Sequence, residues 1–180
     1  MKQLIQLAEL LQQYNQIGQQ IAALIGRPAQ IGHIGEFIAA QIFTIELERS
    51  ANAKAIDGRF QTGTLAGHSV NIKWYAKQEN LLDITSAALP DYYLVLTGPQ
   101  TPPMSSRSSV RPWLIQAVYL FDAPQLLTIL QRQDVNIGIA TSVKTALWRE
   151  AMLYPQQQST IYQLSDQQKA MLALFAKEAL

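Results

Sequence analysis

The chain has 180 residues, 48% of them hydrophobic and 15% charged, with a net charge of +1 and no cysteine. That is one domain's length with enough apolar material for a full core. Disulfides, zinc–thiolate sites and thiol catalysis are excluded, and the charge leaves no general footprint for nucleic acid, so any basic patch must be local. No run approaches the ~18 apolar residues of a membrane-spanning helix. The N-terminus lacks a small-residue cleavage site, so the expected location is cytoplasmic.

Met1 to Ile25 predicts a helix, because Leu4, Leu7, Leu11, Tyr14, Ile21 and Ile25 recur at spacings of three, four and seven. Ile5, Leu10, Ile17 and Leu24 widen this stripe. It is expected first to pack on the body of the protein, and second to form a homodimer contact. Gly26, followed by Arg27-Pro28, ends the helix. A second helix is predicted from about Ile31 to Thr44, with Ile34, Phe37, Ile38, Ile42 and Ile45 buried. His33 and Glu36 share a side away from that stripe, and His33 reads as a half-exposed surface residue.

Ala55 to Tyr75 predicts two strands joined by a Gly-rich hairpin. Alternation puts Asn71, Lys73 and Tyr75 on one face and Val70, Ile72 and Trp74 on the other. Asp57 precedes Gly58, where a strand commonly bends. Lys73 stands among aliphatic and aromatic residues, where a lysine is seldom buried unless paired, and Asp57 is its natural partner. A carboxylate beside an ammonium at such a bend can hold a divalent cation and orient a phosphate. The alternative is a surface hairpin with a solvated Asp, Asn and Lys.

Leu81 to Ile84 leads to Pro90, and Asp91 to Thr97 predicts a strand from its aromatic and β-branched content. Gly98 to Pro112 is a loop rich in proline and serine, and Trp113 to Phe121 a further strand. Pro124 opens a helix to Arg132. Val135 to Ala140 predicts a short buried strand, after which Thr141-Ser142 can cap a helix running through Lys144 to Met152. Tyr154-Pro155 and the glutamines after them form a loop or short strand. Ser165 and Gln168 make a capping box for a helix running to the C-terminus. The expected fold is α/β: a mixed sheet flanked by helices in a single domain, 1–180. It comprises an N-terminal helix (1–25), a core (30–150) and a C-terminal helix (165–180).

Positive charge and hydroxyls concentrate only in the segment from Ser105 to Arg111. Arg107 and Arg111 offer planar forks for phosphate, Ser106 adds a donor, and Trp113 can stack on a base. The alternative is a proline-rich loop with solvated arginines.

Asp57 followed by Asn71-Ile72-Lys73, with Gly35-Glu36 on a preceding helix, resembles the restriction-endonuclease-like PD-(D/E)xK nuclease superfamily. The segments IGEFIAAQIF, VNIKWY, DYYLVLTGP, Ser-Ser-Arg with Arg-Pro-Trp, and IGIATSV resemble, more narrowly, a bacterial domain family of unknown function related to it. This narrower resemblance runs from Gly32 to Trp148. It implies a restriction-endonuclease-like sheet and a Mg²⁺- or Mn²⁺-dependent nuclease acting on DNA or RNA. Asp57 and Glu36 would be metal ligands, assisted by the Ile72 carbonyl, with Lys73 positioning water or neutralising phosphate charge and Asn71 orienting a water. Asn71 departs from the pattern, since the superfamily has Asp or Glu there, and an amide offers a metal oxygen without charge. The same scaffold can equally serve an accessory protein that binds without cleaving.

Overall fold

The structure is a computed structural model and describes residues 1–48, 55–100 and 111–176. Helix α1 spans Lys2–Ile25 and stops at Gly26, whose left-handed backbone (φ 69°) lets its N–H reach the Ala22 carbonyl. Helix α2, Ile31–Phe43, buries Gly35, Ile38, Ala39, Ala40, Ile42 and Phe43. The strands are β1 (Ile45–Leu47), β2 (Gly58–Phe60), β3 (Ser69–Tyr75), β4 (Leu81–Leu82), β5 (Tyr92–Thr97), β6 (Ala117–Asp122), β7 (Thr141–Ser142) and β8 (Met152–Tyr154). Among the described residues three further α-helices follow, α3 (Ala123–Arg132), α4 (Thr145–Ala151) and α5 (Asp166–Ala173), with a short 3-10 turn at Gly63–Leu65.

Six strands form one mixed sheet in the order β1-β2-β3-β5-β6-β8. Only β3 and β5 run parallel, in register from Val70↔Tyr92 to Tyr75↔Thr97. Strands β4 and β7 make a separate two-stranded sheet. Alternation divides the core in two. Val70, Ile72, Trp74, Leu94 and Leu96 pack with α2 and Leu172 of α5. Tyr93, Val95, Tyr119 and Phe121 pack with α3 and α4. Trp148 of α4 meets Tyr119 and Phe121 edge-on, with ring centroids 4.8 and 5.0 Å away. Covering both faces explains why the central strands read as unbroken apolar runs. The mixed α/β sheet with flanking helices and an added N-terminal helix is as expected.

Three local expectations are corrected. The first concerns α1, where no residue is buried: only Gly18, Ile21, Ala22 and Ile25 are half-buried, so the stripe does not pack into the body. In the second, Val135 to Ala140 is not a strand. Asp134 and Ala140 take left-handed backbone (φ 52° and 57°), turning the chain at both ends and leaving Ile139 92% exposed. In the third, Thr141 does not cap α4. Its hydroxyl accepts from the Gly138 N–H and donates to the Gly138 carbonyl, closing the preceding turn. The capping box forms as expected, with Ser165 Oγ accepting from Gln168 N–H and Gln168 Oε1 accepting from Ser165 N–H.

The starts of β3 and β5 are tied together by Asp91, whose Oδ2 accepts from both the Ser69 N–H and its hydroxyl at 2.7 Å. Burial pushes the Asp91 carboxyl up, but these bonds and His68 outweigh it and hold it below its ordinary value. Asp91→Ala is expected to cost about 1–2 kcal/mol, because it strips acceptors from the buried Ser69 while water partly replaces them. The sign follows from the lowered folded value. The stability Asp91 contributes is full above the unfolded pKa of 3.8 and is lost as pH falls through the lower folded value. Urea midpoints of both proteins at pH 7 and in acid should therefore converge at the acid end.

Candidate functional site

Strand β3 is seven residues long, yet β2 pairs only with its first two, as Gly58↔Val70 and Arg59↔Ser69. Beyond Val70 the strands part, and Asp57 sits where they do. Its N–H donates to the Val70 carbonyl, and its Oδ2 accepts from the Ile72 N–H at 2.6 Å. The carboxylate thus takes the ladder position that β2 vacates. In a strand the carbonyl of Ile72 faces the same side as its N–H. Gly58 makes this turn possible, because a Cβ there would lie 2.5 Å from the Glu46 carbonyl and 2.7 Å from Ile45 Cγ2.

Asn71 is buried (5% exposed). Its Nδ2 donates to the Ala55 carbonyl, and its Oδ1 has no hydrogen-bond partner among the described residues. A buried acceptor left without a donor costs about 1–3 kcal/mol, which suits a position where a ligand completes the set. Lys73 is half-buried on the same face as Asn71. Glu36 approaches from α2 on the opposite face. It is fixed there because α2 lies tight on β3, where a Cβ on Gly35 would stand 2.9 Å from Trp74 Cβ.

These groups act on one another through Asp57. Burial raises the Asp57 pKa, the Ile72 hydrogen bond opposes that, Glu36 raises it further, and Lys73 and Arg27 lower it. The net direction is upward. Asp57 therefore feels the charges of Glu36 and Lys73, and that of Arg27 as well. The expected partner of Lys73 is corrected: among the described residues no carboxylate forms an ion pair with it. Instead Arg27 Nη1 donates to Glu36 Oε2. The reason is geometric, since Lys73 leaves one face of the sheet while Glu36 is presented from the other, beside the loop that carries Arg27. Sequence reading took Arg27 only as part of a helix stop. Its nine-residue separation from Glu36 spans a turn between helices, so no helical spacing could link the two.

Of the expected phosphate-binding loop, Arg107 and Ser106 lie outside the described residues. Arg111 and Trp113 are exposed and line an apolar groove of about 320 Å³ with Tyr14, Ile17 and Ile21 of α1. Trp113 approaches Trp74 at a centroid distance of 6.4 Å, and the Trp74 indole N–H donates to the Leu114 carbonyl. This groove therefore adjoins the Glu36 side of β3. A separate cavity of about 400 Å³ between α3 and α4, lined in part by Leu126, Ile129 and Arg149, contains none of the residues above.

Among the described residues no cluster of three or more His, Asp or Glu side chains exists. Asp57 stands at the β2–β3 fork, with the Glu36 carboxylate presented from the α2 face and Asn71 Oδ1, unpartnered among the described residues, on the other. Carboxylates such as Asp57 and Glu36 are the ligand type by which Mg²⁺, keeping several waters, is commonly held. They do not resemble the closed, nitrogen- or sulfur-rich set of structural zinc. No family model and no curated protein sequence matches the chain. No described helix is long and apolar enough to cross a membrane.

Proposed function

We propose that the chain is a divalent-metal-dependent nuclease hydrolysing phosphodiester bonds of DNA or RNA, on a restriction-endonuclease-like scaffold. The observation that carries this reading is the fork itself: Asp57 hung on the Ile72 amide, next to a buried Asn71 whose oxygen has no partner among the described residues. Asp57 and Glu36 would hold Mg²⁺ or Mn²⁺, and Asn71, on the other face of β3, would orient a water. Bound there, the ion would supply Lewis-acid stabilisation of charge on the phosphate and a water of lowered pKa. Lys73, which has no carboxylate partner among the described residues, would neutralise charge developing on the phosphate. Arg111 and Trp113 supply a phosphate fork and a stacking surface along the adjoining groove.

One observation favours a second reading, an accessory protein that binds nucleic acid or protein without cutting. Glu36 is already neutralised by Arg27, so a cation must compete for it. The two readings separate in a nicking assay with Mg²⁺ or Mn²⁺, run alongside a salt titration of binding. Lys73→Ala is expected to lower cleavage by about 10²–10³-fold with little loss of affinity. Arg111→Ala is expected to weaken binding to every sequence and flatten the slope of log K against log salt by about 0.7–0.9. Wild-type protein that binds but never cuts would establish the accessory reading, and protein that does neither at low salt would end both nucleic-acid readings.

A further inference from the structure

We infer that α1 pairs with α1 of a second copy of this chain. The inference is independent of the nuclease reading. Leu4, Leu11, Gly18 and Ile25 alternate with Leu7, Tyr14 and Ile21 at steps of three and four, a strict seven-residue repeat. Leu10, Ile17 and Leu24 repeat every seven residues along one flank. The result is a broad apolar seam along one side of a 24-residue helix.

The body of the protein covers only the C-terminal part of that seam. Gly18, Ile21 and Ile25 are half-buried, whereas every residue from Lys2 to Ile17 is exposed. On the seam, Leu4 is 71% exposed, Leu7 51%, Leu11 52% and Tyr14 65%. In proteins most helical stability comes from packing an apolar face, and the exposed stretch from Lys2 to Ile17 has none of its face covered by the described residues. Covering seven such side chains on each of two copies removes on the order of 1,000 Å² from water, the size at which specific association begins.

Charge selects the occupant. Lys2 and Glu9 are the only charged residues in α1, and the side opposite the seam is mostly glutamine. A helix lying on an anionic membrane carries a lysine- and arginine-rich polar face, which α1 lacks. It equally lacks the flanking charges by which a helix selects a different partner. A neutral seam with a seven-residue repeat is complementary to itself.

Sedimentation equilibrium tests this. Wild-type protein at micromolar concentration is expected at twice the 20.1 kDa of one chain, falling towards one chain on dilution. Leu7→Glu with Leu11→Glu is expected to give a single chain with unchanged tryptophan fluorescence and strand circular dichroism, since neither residue is buried. Gln13→Glu with Gln20→Glu, on the side away from the seam, should keep the pair. A wild type of one chain's mass overturns the inference, as does a pair that survives the leucine substitutions or dissolves equally with the glutamine ones. Capture of a monomer by phosphatidylserine vesicles would identify a membrane as the occupant and overturn it too.

Discussion

On the proposed nuclease function, Asp57→Asn is expected to slow cleavage about a thousandfold and, in the same protein, to raise the melting temperature at neutral pH in the presence of a chelator. The amide can still accept the Ile72 N–H, so the β2–β3 fork keeps its shape. It cannot carry the charge that holds a divalent cation. If the metal supplies about 4 kcal/mol of transition-state stabilisation, its loss slows cleavage by about a thousandfold. The gain in stability has the opposite origin. Burial, and then the neighbouring Glu36, raise the Asp57 carboxyl above 3.8 in the folded protein, beyond what the Ile72 bond, Lys73 and Arg27 restore. For a raised carboxyl the sign is fixed: its favourable contribution is present below the unfolded pKa and is lost as pH rises through the folded value. At pH 7 the ionised Asp57 is therefore a liability in the metal-free state, and the neutral amide removes it. Each ~1 kcal/mol moves the midpoint of a chain this size by about 2–4 °C. The gap between the two proteins should close below pH 3.8. A midpoint lowered at pH 7 would mean that the charge on Asp57 supports the fold.

Gly58→Ala is the second substitution with a large expected effect, acting first on the fold and through it on the site. The added methyl meets the Glu46 carbonyl and Ile45 Cγ2, at 2.5 and 2.7 Å. One of these is backbone in the strand paired with Gly58, since Leu47 opposes Gly58 in the β1–β2 register. A flexible side chain could swing aside, but a paired strand cannot, so β2 must shift away from β1. Overpacking of this kind typically costs 1–3 kcal/mol, about 2–12 °C in melting temperature for a chain this size. The shift also carries the adjacent Asp57 away from the Ile72 amide. Metal affinity should therefore fall together with stability, whereas Asp57→Asn lowers the first and raises the second. A Gly58→Ala protein with wild-type urea midpoint and wild-type Mn²⁺ affinity would show that β1 and β2 have slack at this point.

The parts of this architecture legible in the sequence are those governed by short-range rules. Gly26 stops α1, Ser165 and Gln168 cap α5, and alternation sorts Val70, Ile72 and Trp74 from Asn71 and Lys73. Alternation and the glycine bend also suggested Asp57 as the partner of Lys73, and no such ion pair forms among the described residues. What alternation cannot supply is the use of the Ile72 backbone amide, because that bond depends on where β2 leaves β3. Nor can it supply the Arg27–Glu36 pair, which is set by the turn between two helices. Val135 to Ala140 has the alternation of a strand, but two left-handed residues at its ends override it. The apolar stripe of α1 is unmistakable as a pattern, yet periodicity does not say which surface will cover it.

The proposed nuclease function rests on a cation held between Asp57 and Glu36, and the most direct measurement is a crystal soaked in Mn²⁺ and read by anomalous diffraction. The predicted result is one strong peak per chain at the β2–β3 fork, within coordinating distance of the Asp57 and Glu36 carboxylates. Arg27 should have been displaced from Glu36, and the peak should be absent from Asp57→Asn crystals. A fork with no anomalous density at saturating Mn²⁺, the Arg27–Glu36 pair intact, would contradict it.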